Sequence, residues 1–86
     1  MTNEPTINIL FEEANHQAAA YDGNQLIGEC QYEVAEPNKW LINHTGVRPN
    51  YTGQGIARLL VEKVAEEARA RNVQVIPICS YAKRIL

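Results

Sequence analysis

The stretch Val47-Arg48-Pro49-Asn50-Tyr51-Thr52-Gly53-Gln54-Gly55-Ile56-Ala57 decides how this chain is read, because the residue pattern changes across it. Before it, apolar and polar residues alternate with the period of a strand. After it, Ile56, Leu59, Leu60, Val64, Ala65 and Ala68 recur at the spacing of one helix face, with Glu62, Lys63, Glu66, Glu67 and Arg69 on the other. Two glycines one residue apart therefore join a strand to a long helix. Unpaired N–H groups at a helix start, with the positive end of the dipole, favour an anion there. Glycine lets the backbone approach phosphate oxygens with no Cβ in the way, and each charge-assisted N–H bond contributes roughly 1.5–3 kcal/mol. On the glycines alone, a tight turn with Thr52 as N-cap is an equally open reading. Familiar nucleotide motifs fit poorly. There is no G-x-x-x-x-G-K-[ST], and Arg58 stands where G-x-G-x-x-G needs its third glycine. A dinucleotide fold would also place the glycines after its first strand, whereas four strand segments precede them here.

Toward the amino end, Lys39 to Val47 reads as the fourth strand, entered through the turn Glu36-Pro37-Asn38. In the third, Leu26, Gly28, Cys30, Tyr32 and Val34 fall on one face. Asp22-Gly23-Asn24 is a hairpin turn. Gln17 to Tyr21 is ambiguous, since alanine favours helix, but it is too short for a stable one and reads as the second strand. Thr6 to Phe11 alternates as the first strand, with Glu12 to His16 between it and the second. Toward the carboxyl end, the helix closes near Arg71, and Asn72 suits the left-handed closing position. Arg69 and Arg71 suit the negative end of the dipole. Glu67 and Arg71 support each other at i,i+4, whereas Glu62 and Glu66 repel. Val73 to Ile78 is a fifth strand. Its Pro77 has no N–H, so the strand either lies at a sheet edge or parts from its neighbour there. Ser80 to Leu86 makes at most a short helical turn. This order predicts a single α+β domain over residues 1–86, a largely antiparallel five-stranded sheet with one long helix between strands four and five. Those two strands should lie side by side in parallel, through a right-handed crossover.

Composition bounds the function. Eighty-six residues make one core, and a chain of this size hides only about 60–65% of its unfolded-state surface. A net charge of −2 gives no reason to expect nucleic acid or an anionic membrane as partner. No apolar stretch approaches the roughly 18 residues of a membrane span, and Met1 is not followed by a signal-peptide pattern. The two cysteines, Cys30 and Cys79, form no C-x-x-C pair, so reduced thiols in a cytoplasmic protein are expected. No metal-ligand spacing is present. A monomer is the expectation for assembly. Trp40 reads as core or sheet cover. Cys30, on an alternating face, reads as a packed thiol, while Cys79 at a strand end is either packed or reactive. His44 is either structural or a base.

The decisive stretch resembles the acyl-CoA-binding motif of the GNAT acetyltransferase superfamily, [QR]-x-x-G-x-[GA] after a strand ending in valine. It is more similar still to a subfamily of small stand-alone GNAT-like domains. These carry H-T-x-V before the glycines and C-S-aromatic after the last strand, as His44-Thr45-Gly46-Val47 and Cys79-Ser80-Tyr81 do here. The resemblance covers nearly the whole chain and is strongest from Lys39 to Leu86. It implies a minimal GNAT fold whose fourth and fifth strands splay, with the pantetheine arm of acetyl-CoA in the wedge against the backbone of Thr45 and Val47. Gly53, Gln54, Gly55, Ile56 and Ala57 would offer N–H groups to the pyrophosphate. Asn50 stands where the superfamily has Gln or Arg, and Tyr81 and Lys83 would be further cofactor contacts. Cys79 would lie at the thioester, giving a proton to the departing thiolate or, as a thiolate itself, taking the acetyl group. Lys83 and Arg84 would favour the second route, and His44 would act as a base through water or orient the acceptor. The activity implied is acetyl-CoA-dependent N-acetylation of a primary amine on a peptide, protein or small metabolite. The alternative is a CoA or acyl-CoA binding module with little turnover, because only Glu12 to His16 stand where larger relatives have acceptor-groove helices.

Overall fold

The computed structural model describes residues 7–86; Thr6, which the alternation includes in the first strand, lies outside them. Five strands form one sheet in chain order: β1 (Ile7–Glu12), β2 (Gln17–Asp22), β3 (Gln25–Glu36), β4 (Lys39–Val47) and β5 (Gln74–Pro77). β1 to β4 are an antiparallel meander, and β5 pairs with β4 in parallel from Lys39↔Gln74 to Ile42↔Pro77. Between them runs α1 (Ile56–Ala70), and α2 (Ser80–Ile85) closes the chain. The predicted α+β order is thus the observed one.

The helix buries Ile56, Leu60, Val61, Val64 and Ala68 in a core shared with Ala18, Ala20, Ile27, Cys30 and Ile42. Burying one such leucine contributes roughly 2 kcal/mol. Ala18, Ala19 and Ala20 are fully buried. Their helix preference yields to pairing on both flanks, and the short side chains of Ala18 and Ala20 leave room beneath α1. Three face assignments are corrected. Leu59, expected in the helix core face, is half exposed, and Val61 is buried instead. The buried stripe runs 56, 60, 61, 64, 68, which turns Leu59 outward. In β3, Leu26 is at the surface and Ile27 is buried. The register shifts between Ala20↔Gly28 and Tyr21↔Leu26, so Ile27 is the extra residue of a bulge and the alternation skips there. Val34, also expected on the core face, is exposed with the rest of the hairpin arm from Glu33 to Glu36.

The helix closes as its sequence requires. Asn72 takes φ 57°, and the N–H of Val73 bonds back to the carbonyl of Ala68 at 2.8 Å. Arg71 pairs with Glu67 at 2.7 Å and lies over the Phe11 ring. The repulsion expected between Glu62 and Glu66 is offset, because Arg58 pairs with the first and Lys63 with the second. Trp40 is buried as expected, stacked on Tyr32 with ring centres 4.1 Å apart.

Candidate active site

The site begins where β4 and β5 separate. Ile42↔Pro77 is their last paired position. Just beyond it, the N–H groups of Ile78 and Cys79 both donate to the Ile42 carbonyl, at 2.9 and 3.0 Å. Pro77 satisfies both sequence readings at once, since β5 is an edge strand and also diverges there. β4 itself is bulged at the same level. Gln31 pairs with His44 but Tyr32 with Ile42, which leaves Asn43 as the extra residue. From residue 43 to 47, β4 keeps β3 on one flank and, among the described residues, has no strand on the other. This open flank includes Thr45 and Val47.

The glycine stretch forms the second wall. A 3-10 turn, Pro49–Tyr51, leads into Gly53 at φ 80° and Gly55 at φ 78°, and Gly55 is the N-cap of α1. Thr52 is not the cap that the plain-turn reading would make it: its hydroxyl donates to the Pro49 carbonyl at 3.0 Å, and among the described residues no side chain caps α1. The N–H groups from Gly53 to Arg58 accordingly have no backbone acceptor among the described residues. A Cβ built on Gly53 or Gly55 meets nothing within 4 Å, so the space before them is open. A cavity of about 310 Å³ lies there, lined by Val47, Tyr51, Thr52, Gly53, Gly55, Ile56, Ala57 and Tyr81. It gathers six of the residues expected to contact the cofactor and adds Tyr51 and Thr52. Asn50, Gln54 and Lys83 are exposed and outside its lining.

Long-range bonds fix this loop. Arg48 donates its backbone N–H to the Ile27 carbonyl at 2.8 Å and its Nε to the Leu26 carbonyl at 3.0 Å. The Tyr51 hydroxyl donates to the Asp22 carboxylate, which raises the phenol's pKa. The β2–β3 hairpin thus holds the glycine loop from outside. No local spacing marks the Tyr51–Asp22 pair, and sequence reasoning missed it.

Cys79 follows β5 and is the N-cap of α2, its Sγ accepting the N–H of Ala82 at 3.3 Å. Thr45 Oγ1 lies 3.5 Å from Cys79 Sγ and 3.6 Å from Cys30 Sγ. Cys30 and Thr45 are register partners across β3 and β4, so their side chains share a face. Cys30 is fully buried. Burial pushes its thiol up to about 11, with the Thr45 bond opposing. The packed-thiol reading of Cys30 is right about burial and misses this contact. His44 is not gathered with Cys79. Its ring stands 3.9 Å from the Glu29 carboxylate and beside Gly46, because neighbours along a strand point to opposite faces. Glu29 carries no motif and went unnoticed in the sequence. Lys83 and Arg84 are exposed in the last turn of α2.

A family model described as GCN5-related N-acetyl-transferase matches residues 16–86. Among solved structures, a GCN5-like protein of Staphylococcus aureus is 30% identical over 98% of this chain and 79% of its own, with TM-score 0.67. A GCN5-related N-acetyltransferase of Sphaerobacter thermophilus is 26% identical over 71% of this chain, with TM-score 0.63. The matched region is only 20% of that protein's length. A predicted acetyltransferase of Clostridium acetobutylicum, solved with acetyl-CoA, shares the fold at 20% identity and TM-score 0.61, over 85% of this chain and 56% of its own. No curated protein is a significant match.

Proposed function

We propose, since this chain belongs to the GCN5-related N-acetyltransferase family, that it transfers the acetyl group of acetyl-CoA to a primary amine, with Cys79 at the reacting carbon. One observation carries the reading: the Cys79 sulfur stands at the point where β4 and β5 part, on the face of Thr45. The uncapped start of α1 supplies free amides for the diphosphate, and the open flank of β4 offers a lane for the pantetheine arm between them and the sulfur. The relative solved with acetyl-CoA supports the choice of donor.

Two polar contacts of the Cys79 sulfur, with Thr45 Oγ1 and the Ala82 N–H, fit the covalent route. As a thiolate, Cys79 Sγ attacks the thioester carbon; a bond forms to Sγ, the bond to the CoA sulfur breaks, and CoA departs as the thiolate. The amine nitrogen then attacks the same carbon, the Cys79 sulfur leaves, and the proton lost by nitrogen balances the CoA thiolate. The N–H of Ala82 donates to the sulfur when it carries charge. His44, with Glu29 beside it on the other face, has no role in these steps.

A second reading, a CoA-binding module with little turnover, is favoured by one feature. The segment between β1 and β2 holds only a three-residue turn, Glu13–Asn15. Incubation with acetyl-CoA and a panel of amines tests both readings. Wild type should release CoA with an amine and carry one acetyl group on the Cys79 peptide without one, while Cys79→Ala should bind acetyl-CoA and turn over at least roughly tenfold more slowly. Binding without turnover in wild type supports the module. Unchanged kinetics in Cys79→Ala remove the thiol from the chemistry.

A further inference from the structure

We propose that Cys30 and Thr45 are positioning residues for Cys79, forming a reversible hydrogen-bond chain from the buried thiol through the threonine hydroxyl to the reacting sulfur. The inference rests on the reading of Cys79 as nucleophile and assigns work to a buried thiol that the reading leaves idle. Three residues distant in sequence come together: Cys30 on β3, Thr45 opposite it on β4, and Cys79 at the start of α2. The Thr45 oxygen is within 3.6 Å of one sulfur and 3.5 Å of the other, and the Ala82 N–H reaches Cys79 Sγ at 3.3 Å.

A hydroxyl has one proton to give and two lone pairs to receive, and its proton rotates to suit its neighbours. At rest Thr45 donates to Cys30 and can accept from the Cys79 S–H. Once Cys79 loses its proton, its sulfur is the stronger acceptor and the Thr45 proton turns to it. The lone pair left at Thr45 is then met by the Cys30 S–H. Cys30 is suited to this part because it is fully buried and keeps its proton. No atom leaves or joins the chain; only two hydrogen bonds change direction. The titratable and charged groups nearby are Cys30 on β3, Glu29 and His44 toward the other face, and Tyr81, Lys83 and Arg84 on α2. Of these, Cys30 alone shares with Cys79 a hydrogen-bond partner among the described residues.

The bland role for this trio is packing, with each thiol merely satisfying the hydroxyl. The rate of Cys79 alkylation by iodoacetamide against pH separates the two, read by mass spectrometry of the Cys79 peptide in the full chain. Thr45→Val should move the profile to higher pH and slow alkylation at neutral pH by roughly tenfold. Cys30→Ala should shift it in the same direction by a smaller amount, roughly threefold, while Thr45→Ser and Cys30→Ser restore it. Folding of each variant is checked by its amide NMR spectrum, and if Thr45→Val does not fold, Cys30→Ala against Cys30→Ser decides. Profiles unchanged in Thr45→Val and Cys30→Ala overturn the chain, even where wild type takes acetyl onto Cys79. Profiles that shift as described in a protein that never takes acetyl uphold the chain and sink the covalent transfer instead.

Discussion

Replacing Gly55 with alanine separates two effects of one methyl group. Gly55 holds φ +78°, and a Cβ built there has nothing within 4 Å, so alanine meets no clash within the protein. Its cost to folding is the left-handed backbone alone, roughly 1–2 kcal/mol for an L-residue. In a chain of this size each kcal/mol lowers Tm by about 4–8 °C. Gly23, in the hairpin turn, has φ +62° and equally open space, so Gly23→Ala carries a similar cost. Of these two glycines, Gly55 lines the cavity at the start of α1 and Gly23 does not. Its methyl would push a diphosphate off the free amides, and losing two bonds of roughly 1.5 kcal/mol each weakens binding by a factor on the order of 100. Thermal melts and isothermal titration with acetyl-CoA measure the two effects apart. Both variants should melt lower by similar amounts, and only Gly55→Ala should lose affinity. Equal affinity in the two would refute the placement of the diphosphate at this helix start.

Gly28 should accept a side chain only at a cost, because a Cβ there would stand 3.1 Å from the Gly46 carbonyl and 3.2 Å from both Leu60 and Val47 side chains, which must then give way. Gly28→Ala should destabilise by about 1–3 kcal/mol in a urea melt, and an unchanged midpoint would mean that α1 sits farther from β3 than described. Stability should also fall as pH rises from about 9 to 11. The Cys30 thiol keeps its proton up to about 11 when folded, against 9.0 as an ordinary thiol. The unfolded chain therefore loses that proton first, and stability present below pH 9 is lost through pH 11, on the order of 2–3 kcal/mol. Urea melts across this window should show a shallower decline in Cys30→Ala, and parallel curves would contradict the raised thiol. Tyr51→Phe removes the bond to Asp22. It should cost about 1 kcal/mol and speed amide exchange at Arg48, whose N–H bonds to the Ile27 carbonyl, and exchange at the wild-type rate would count against the hairpin as the loop's anchor.

Element order was legible because the apolar period switches once, from two before Pro49 to near 3.6 after Gly55. The glycine loop was legible because glycine, proline and a strand-to-helix change coincide. Fine placement was not. Leu59 and Val61 are both apolar and flank the same face, so composition cannot choose between them. The bulges at Ile27 and Asn43 leave no mark in residue type, yet each resets which side chains point inward. The Cys30–Thr45–Cys79 contact needs the β3–β4 register and the end of β5 together, and neither is encoded in local spacing. Asn50, Gln54 and Lys83 entered through motif position, which carries the backbone path better than the direction of an exposed side chain.

A strand has only two sides, and the parity of its count decides which residue serves which. Because Asn43 is bulged out of the pairing after Ile42, Thr45 turns toward the thiols and His44 to the opposite side of the sheet. Were Asn43 paired in regular register with Gln31 instead, His44 would fall opposite Cys30, and the same letters would present an imidazole to Cys79 and turn the hydroxyl away. What the sheet offers the sulfur is thus set by arithmetic as much as by residue identity.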